Sequence, residues 1–301
     1  MWFKNLSFFR LLEPISLDRS QIEAGLSTQS FCACGSLEPF SMGWVSPLGP
    51  RHVALSHVSE GRILLTLQRE EKVLPASSVR DRVNDKLTDI LEREDRVLGR
   101  KAREAIRDEV LQDMLPKAFT QKQSLSGYID TEAGWLVVDT ASARKAEDFV
   151  ALLRKSWGTL SVKPFATEVL PSALMTDWVK SGETPSLLTI EMDCELKSDE
   201  KEGSVIRCQR QAIDAPEIRQ HLDAGKIVTK MALSFDDRLG FVLSEDWVIR
   251  KLKFLDLIQE ESSQHDDESD EARLDADFAL MTREINRMVN YLSPLFGGVP
   301  K

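Results

Sequence analysis

Three stretches of the 301-residue chain carry apolar residues at helical spacing, and short apolar or alternating runs fill the intervals between them. The longest stretch covers residues 79–114, where Val79, Val83, Leu87, Ile90, Val97 or Leu98, Ala102, Ile106 and Val110 form one stripe. At 1.5 Å per residue this predicts a charged rod of about 54 Å. Ser78-Val79-Arg80-Asp81 has capping-box spacing with Asp in place of Glu, Gly99 marks a point where the rod bends or divides, and Pro116 stops it. A second helix runs from its cap Ser142 to Trp157 and ends at Gly158. The third is terminal and amphipathic, with Leu274, Phe278, Met281, Ile285, Met288, Val289 and Leu292 on its apolar face.

Strand patterns lie between these helices. Residues 3–12 open a sheet, and residues 17–25 form a short helix with Ser16 available as cap. Residues 53–58 and 62–67 flank the turn Ser59-Glu60-Gly61, and Tyr128-Ile129-Asp130 with residues 135–139 makes a second hairpin around Gly134. Strands at 160–165 and 187–192 bracket a helix at 173–180. A third unit spans 204–253, with Asp214-Ala215-Pro216-Glu217 opening a helix and strands at 226–233 and 241–255. The mixture lacks a regular βαβ rhythm, so the expected class is α+β, an elongated subunit of mixed antiparallel sheets and helices. Its expected parts are an N-terminal α+β region (1–75), a long helical arm with a basic-aromatic loop (76–122), central and C-terminal α+β regions (123–255), an acidic linker (256–273) and a terminal helix (274–301).

Charge changes this picture at one place. The formal net charge is −10, but the ten carboxylates between Asp256 and Asp277 face Arg273 alone, a net of −9 that leaves −1 for all other residues. An anionic partner is therefore compatible with the rest of the surface. No apolar run approaches the ~18 residues of a membrane span, and Met1-Trp2-Phe3-Lys4-Asn5 does not open a secretory signal. Cys32, Cys34, Cys194 and Cys208 are too few and too irregular for a disulfide framework or a four-ligand zinc site, so reduced thiols and no metal are expected.

Inside the predicted rod Arg93, Arg96, Arg100, Arg103 and Arg107 recur at spacings of 3, 4, 3 and 4, one ridge of a continuous helix that Lys86 extends by a heptad. Arginine suits bidentate phosphate contact. The bland reading is a solvated face, because Glu92 and Glu104 stand four residues from Arg96 and Arg100. The following stretch, Lys117-Ala118-Phe119-Thr120-Gln121-Lys122, places an aromatic between lysines with no carboxylate between Met114 and Ile129. Phe119 can stack on bases, rest on sugar-phosphate, insert into a second subunit or fold back into its own core. A second basic segment, Arg207-Cys208-Gln209-Arg210-Gln211, is followed by Lys226 and Lys230 on what reads as one strand face. No groove-reading motif accompanies these clusters, which points to sequence-independent, salt-dependent DNA contact. There is no Gly-rich phosphate loop, nucleophile elbow or His-Glu-x-x-His, and His52, His57, His221 and His265 are scattered. Asp275, Asp277 and Glu284 read as a solvated face rather than a nuclease cluster. The expectation is a binding protein without catalytic residues or cofactor, with a protein-interaction adaptor as the alternative.

Seven blocks carry a family resemblance: MWFKNLSFFRL at the start, MGWVSPLG (Met42 to Gly49), EEKVLP (Glu70 to Pro75), DEVLQDMLPKAF (Asp108 to Phe119), KAEDFVALLRKSWG (Lys145 to Gly158), GKIVTKMAL (Gly225 to Leu233) and DADFALMT (Asp275 to Thr282). In order and over nearly the whole chain, they resemble the bacterial recombination-associated RdgC family. That resemblance implies a cytoplasmic, nucleoid-associated homodimer, a ring whose positive hole encircles double-stranded DNA, with single-stranded DNA as a second partner. It also implies restraint of RecA-promoted strand exchange and a part in replication-fork repair. Functionally important family positions match Lys117, Phe119, Arg210 and Gln211, and imply a subunit contact near Phe119 and DNA nearer Arg210 and Gln211. The arginine ridge is an inference from spacing alone.

Overall fold

The computed structural model describes residues 2–94, 98–198, 200, 203–255, 258 and 269–298. Its first sheet is built from β1 (Ser7–Leu11), β2 (Phe40–Val45), β3 (Ser56–Ser59), β4 (Arg62–Lys72), β5 (Thr120–Asp130), β6 (Trp135–Val138) and β7 (Val162–Pro164). The order is β2-β4-β5-β6-β1-β7, antiparallel throughout, and β3 pairs with the first residues of β4 where β2 pairs with the later ones. Period-2 alternation gives this sheet two apolar faces. On one, Phe9, Ile63, Leu65, Ile129, Leu136 and Val138 pack against helices α1 (Arg19–Ser27) and α4 (Ala143–Trp157). Gly127 allows that approach, since a Cβ there would lie 2.8 Å from Phe149 Cζ.

On the other face Phe8, Leu64, Tyr128, Trp135 and Val137 join a second core, shared with a five-stranded antiparallel sheet. That sheet contains β8 (Leu188–Ser198), β9 (Val205–Cys208), β10 (Lys226–Phe235), β11 (Leu239–Ser244) and β12 (Ile249–Phe254), ordered β12-β11-β10-β8-β9. Helices α5 (Pro171–Ser181) and α6 (Pro216–Asp223) contribute to this core, as does the terminal helix α7 (Asp270–Leu295), which contacts both sheets. Phe278 stacks edge-on to Tyr128 of β5 at 5.8 Å, and Tyr291 packs on Phe235 of β10. Asn286 donates to Asp130 at 2.6 Å, and Glu284 receives Arg238 at 2.9 Å. Residues 4–6 tie the sheets together: Leu6 exchanges backbone hydrogen bonds with Ile249 of β12 before the chain turns into β1.

The α+β class and the antiparallel sheets agree with the sequence reading, as does α4 with its Ser142 cap. Several boundaries differ. α1 is capped by Asp18 in a reciprocal capping box with Gln21, a better-placed acceptor than Ser16. The stretch 241–255 is a hairpin of β11 and β12, with Trp247 in a left-handed turn at φ 59°. β5 begins at Thr120, so the second half of the expected loop, residues 120–122, is strand. β2 falls where no element was expected, and α7 starts at Asp270, where the Ser269 hydroxyl accepts from Ala272 N and two acids complement the helix dipole. Most of the acidic segment (256, 257 and 259–268) lies outside the described residues.

The long rod is replaced by a helical hairpin. α2 (Ala76–Glu94) and α3 (Arg100–Met114) are separated at Gly99, whose extended backbone (φ −72°, ψ 169°) ends helical geometry, and they run antiparallel. Lys86 bridges them to Glu109 at 2.6 Å. Val79, Ile106 and Val110 are buried in their seam and belong to neither core of the body. A straight rod would have left that stripe in water; folding back buries it. The hairpin is inserted between β4 and β5 and returns through a 3₁₀ turn, Leu115–Lys117.

Candidate nucleic-acid interface

The hairpin divides the expected arginine ridge. Arg93 lies in the last turn of α2, Arg100, Arg103 and Arg107 lie on α3, and Arg96 lies outside the described residues. Arg100 is 93% exposed with Glu104 at 3.1 Å, and Arg103 donates to the Leu98 carbonyl. Arg107 lines the groove between the helices with Val79, Val83 and Leu111. Lys86, spent on Glu109, leaves the ridge. The cations thus gather around the end of the arm. Arg100, Lys101 and Arg103 stand in the first turn of α3, where the dipole disfavours positive charge and which itself holds no acidic residue.

At the base of the arm Lys117 is exposed and Phe119 is 87% exposed, although its carbonyl is held by Val73 N at 2.8 Å. The backbone is anchored while the ring projects, so the alternative in which Phe119 folds into its own core does not hold. Nearby, Lys122 Nζ lies over Phe31, and the Arg69 guanidinium covers Phe40 at 4.1 Å.

The second basic region falls on the five-stranded sheet. Cys194, Leu196, Cys208, Val228 and Met231 point into the core, and the alternating positions form an open face. Strand register aligns one residue from each strand on that face: Arg207 opposite Glu195, Glu195 opposite Lys230, and Lys230 opposite Ser244. Arg250 of β12 completes the row by donating to the Ser244 hydroxyl at 2.9 Å. Glu195 receives Arg207 Nε at 2.9 Å and Lys230 Nζ at 2.8 Å. Burial alone would raise the Glu195 pKa, but these two partners hold it below the ordinary value, so the carboxylate is charged at neutral pH. Arg207 and Lys230 share Glu195, Arg250 also lies 3.7 Å from Asp246, and the row borders a shallow depression of about 270 Å³ with Asp193, Gln209 and Lys251 at its margin. Behind it, burial and the facing Cys208 push the Cys194 thiol up to about 12, which leaves it protonated and unreactive.

Arg210 and Gln211 continue past the end of β9. Arg210 takes a left-handed backbone at φ 54°, its amide donating to the Asp193 carboxylate at 3.0 Å, while Gln211 N donates to the Met192 carbonyl. Lys226 and Lys230 do not share a face. An irregularity between Val228 and Lys230 shifts the pleat by one residue, so Lys226 falls on the side of Val228, near Ser204, and Lys230 on the open side. Arg250 and the pairing role of Glu195 escaped sequence reasoning. Only their alternation with buried neighbours hinted at an outward position, and their partners depend on register.

Asp275, Asp277 and Glu284 do not form the expected solvated face: Asp277 and Glu284 are buried, Glu284 paired with Arg238 at 2.9 Å, and Asp275 pairs separately with His57 at 2.9 Å. Among the described residues no group of three or more His, Cys, Asp or Glu side chains is placed to hold a metal, and no helix is long and apolar enough to cross a membrane.

Comparison with known proteins gives a consistent result. A family model described as "Putative exonuclease, RdgC" matches residues 1–299. The chain is 40% identical over 298 residues to the recombination-associated protein RdgC of Tolumonas auensis, covering 99% of both chains. It is 39% identical to the proteins of that name from Halorhodospira halophila and Yersinia pestis, covering 99% of this chain and 98% of each relative.

Proposed function

The chain belongs to the RdgC family of recombination-associated proteins, and from that premise we propose that it binds DNA without reading sequence, as a homodimer that encircles the duplex and restrains RecA-promoted strand exchange. A role in recombination comes with the family. The observation that carries the DNA reading is the cationic row of Arg207, Lys230 and Arg250 across an open sheet face, in a chain whose negative charge is concentrated elsewhere. Arg210 and Gln211 extend that surface at the sheet edge, whereas Lys226, on the other side of β10, lies off this face. Such a surface offers phosphate contacts and no groove-reading element, so contact is electrostatic and occurs at any sequence.

In this reading the arm, residues 76–122, serves two purposes. Arg93, Arg100 and Arg103 at its end, with Arg107 and Lys117 behind them, face the phosphate backbone, and Arg96, outside the described residues, is assigned to the same contact. Phe119, anchored by its backbone and bare in the single chain, meets the second copy. Single-stranded DNA binds the same surface, and the protein localises to the nucleoid because its partner is there. Residues 1–75 and 123–255 make up the body, the acidic stretch before α7 is a linker, and the reading assigns no catalytic residue and no cofactor.

Fluorescence anisotropy on a random-sequence duplex across a salt series tests the proposal. Tight binding at low salt with a steep negative slope is expected. Little affinity at low salt would refute it in favour of a protein-interaction adaptor. Metal-dependent shortening of an end-labelled duplex would refute the non-catalytic part and favour the exonuclease description of the family model.

A further inference from the structure

Glu195 is the one carboxylate that Arg207 and Lys230 share. Its two oxygens are both engaged, one by Arg207 and the other by Lys230 with Thr229 Oγ1 at 3.3 Å. Its side chain is 15% exposed, whereas Arg207 is 73% and Lys230 36% exposed. The carboxylate therefore sits at the floor and the two cations rise around it. A DNA phosphate approaching this face would meet the same guanidinium and ammonium that Glu195 already holds. Removing one partner of the cluster would normally be thought to loosen it. Here, however, two cations share one anion, and Arg250, which holds Ser244 and lies 3.7 Å from Asp246, continues the row.

We propose that Glu195 is a built-in phosphate surrogate, a fixed internal anion that competes with the DNA backbone for Arg207 and Lys230 and so limits the affinity of this face. The inference rests on the DNA-binding reading given above. Glu195 keeps the two side chains extended and parted in the unbound protein, and it lowers the number of phosphates the row can neutralise by about one. Binding then stays weak enough for the protein to leave or slide, and the limit is set by one residue rather than by surface charge at large.

Glu195→Gln tests this, since the amide keeps the shape and one acceptor oxygen but removes the charge. Glu195→Thr is a second variant whose side chain suits a strand should the amide fold poorly. Glu147→Gln, exposed on α4, makes the same change in net charge away from the row. Releasing about one phosphate equivalent steepens the salt slope by about 0.9, an affinity gain of up to about eightfold at about 0.1 M salt that vanishes toward 1 M. The expected result is tighter duplex binding by the Glu195 variants, no change for Glu147→Gln, and weaker binding for Arg207→Gln. Unchanged or weakened binding by the Glu195 variants, with Arg207→Gln still weaker, would overturn the surrogate role and leave the DNA-binding face standing. No change in any variant would overturn the face itself, and Glu195's role with it.

Discussion

Replacing Arg207 and Lys230 together with glutamine removes two charges from the sheet face while keeping side chains that can still hydrogen-bond Glu195. Arg207 and Lys230 against Glu195 then go from one net positive charge to one net negative charge, a change of two, while Arg250 stays 3.7 Å from Asp246. Each lost phosphate contact flattens the salt slope by about 0.9, so the pair accounts for about 1.8. Between about 50 and 200 mM salt, a fourfold range, wild type should therefore lose about twelvefold more affinity than the variant. The assay is fluorescence anisotropy on a random-sequence duplex at five or more salt concentrations, with circular dichroism to establish that the sheet is intact. Parallel salt plots would refute the reasoning, because phosphate contact at these residues cannot disappear without a change of slope. A uniform loss of affinity at unchanged slope would likewise assign the two side chains a structural role.

Arg93→Ala with Arg100→Ala should flatten the slope by a comparable amount without shifting the melting temperature, since both side chains are exposed; Arg107 is left in place because it lines the seam of the arm. Equal slopes would remove the arm from the DNA surface. Phe119→Ser should change the stability of the isolated chain by no more than about 0.5 kcal/mol, as expected for a side chain that touches little, yet shift sedimentation toward monomer. An intact dimer that no longer binds DNA would instead put Phe119 on the nucleic acid. Asp130 is buried, which by itself would raise its pKa, but hydrogen bonds from Ala133 N, Asn286 and Arg62 and the Arg62 charge hold it below the ordinary value. Its contribution to stability is therefore present above about pH 4, the ordinary carboxyl range, and is lost as pH falls through the depressed folded-state value. Asp130→Asn should lower stability at neutral pH and flatten the acid limb of a thermal-melt series; an unchanged acid limb would show that Asp130 does not couple β5 to α7 by charge.

The elements legible from sequence were those specified by neighbours a few residues away. α4 carries its cap Ser142, its apolar stripe and its stop Gly158 within seventeen residues, and the turns at Gly61 and Gly134 require the positive φ they have. Residues 79–114 show where this logic fails. The apolar spacing is equally compatible with one rod or two helices, and the choice lies in whether the stripe finds a partner, which the seam of Val79, Ile106 and Val110 supplies. Lys226 and Lys230 show a second failure, because a single irregularity in β10 exchanges the faces of everything beyond it.

By itself the sequence determined the helix and strand patterns, the segregation of negative charge into residues 256–277, and membership of a family through blocks that run from the first residue to Thr282. Only the tertiary structure decided that the arginines gather at the end of an arm, and that Arg207, Glu195, Lys230, Ser244 and Arg250 form a row across five strands. The reason is one of range. Caps, turns and periodicity act between residues a few positions apart, whereas the row joins residues up to 55 positions apart, from Glu195 to Arg250. Its alignment is set by strand register, which follows from burying Leu196, Val228 and Met231 on the opposite side of the same sheet.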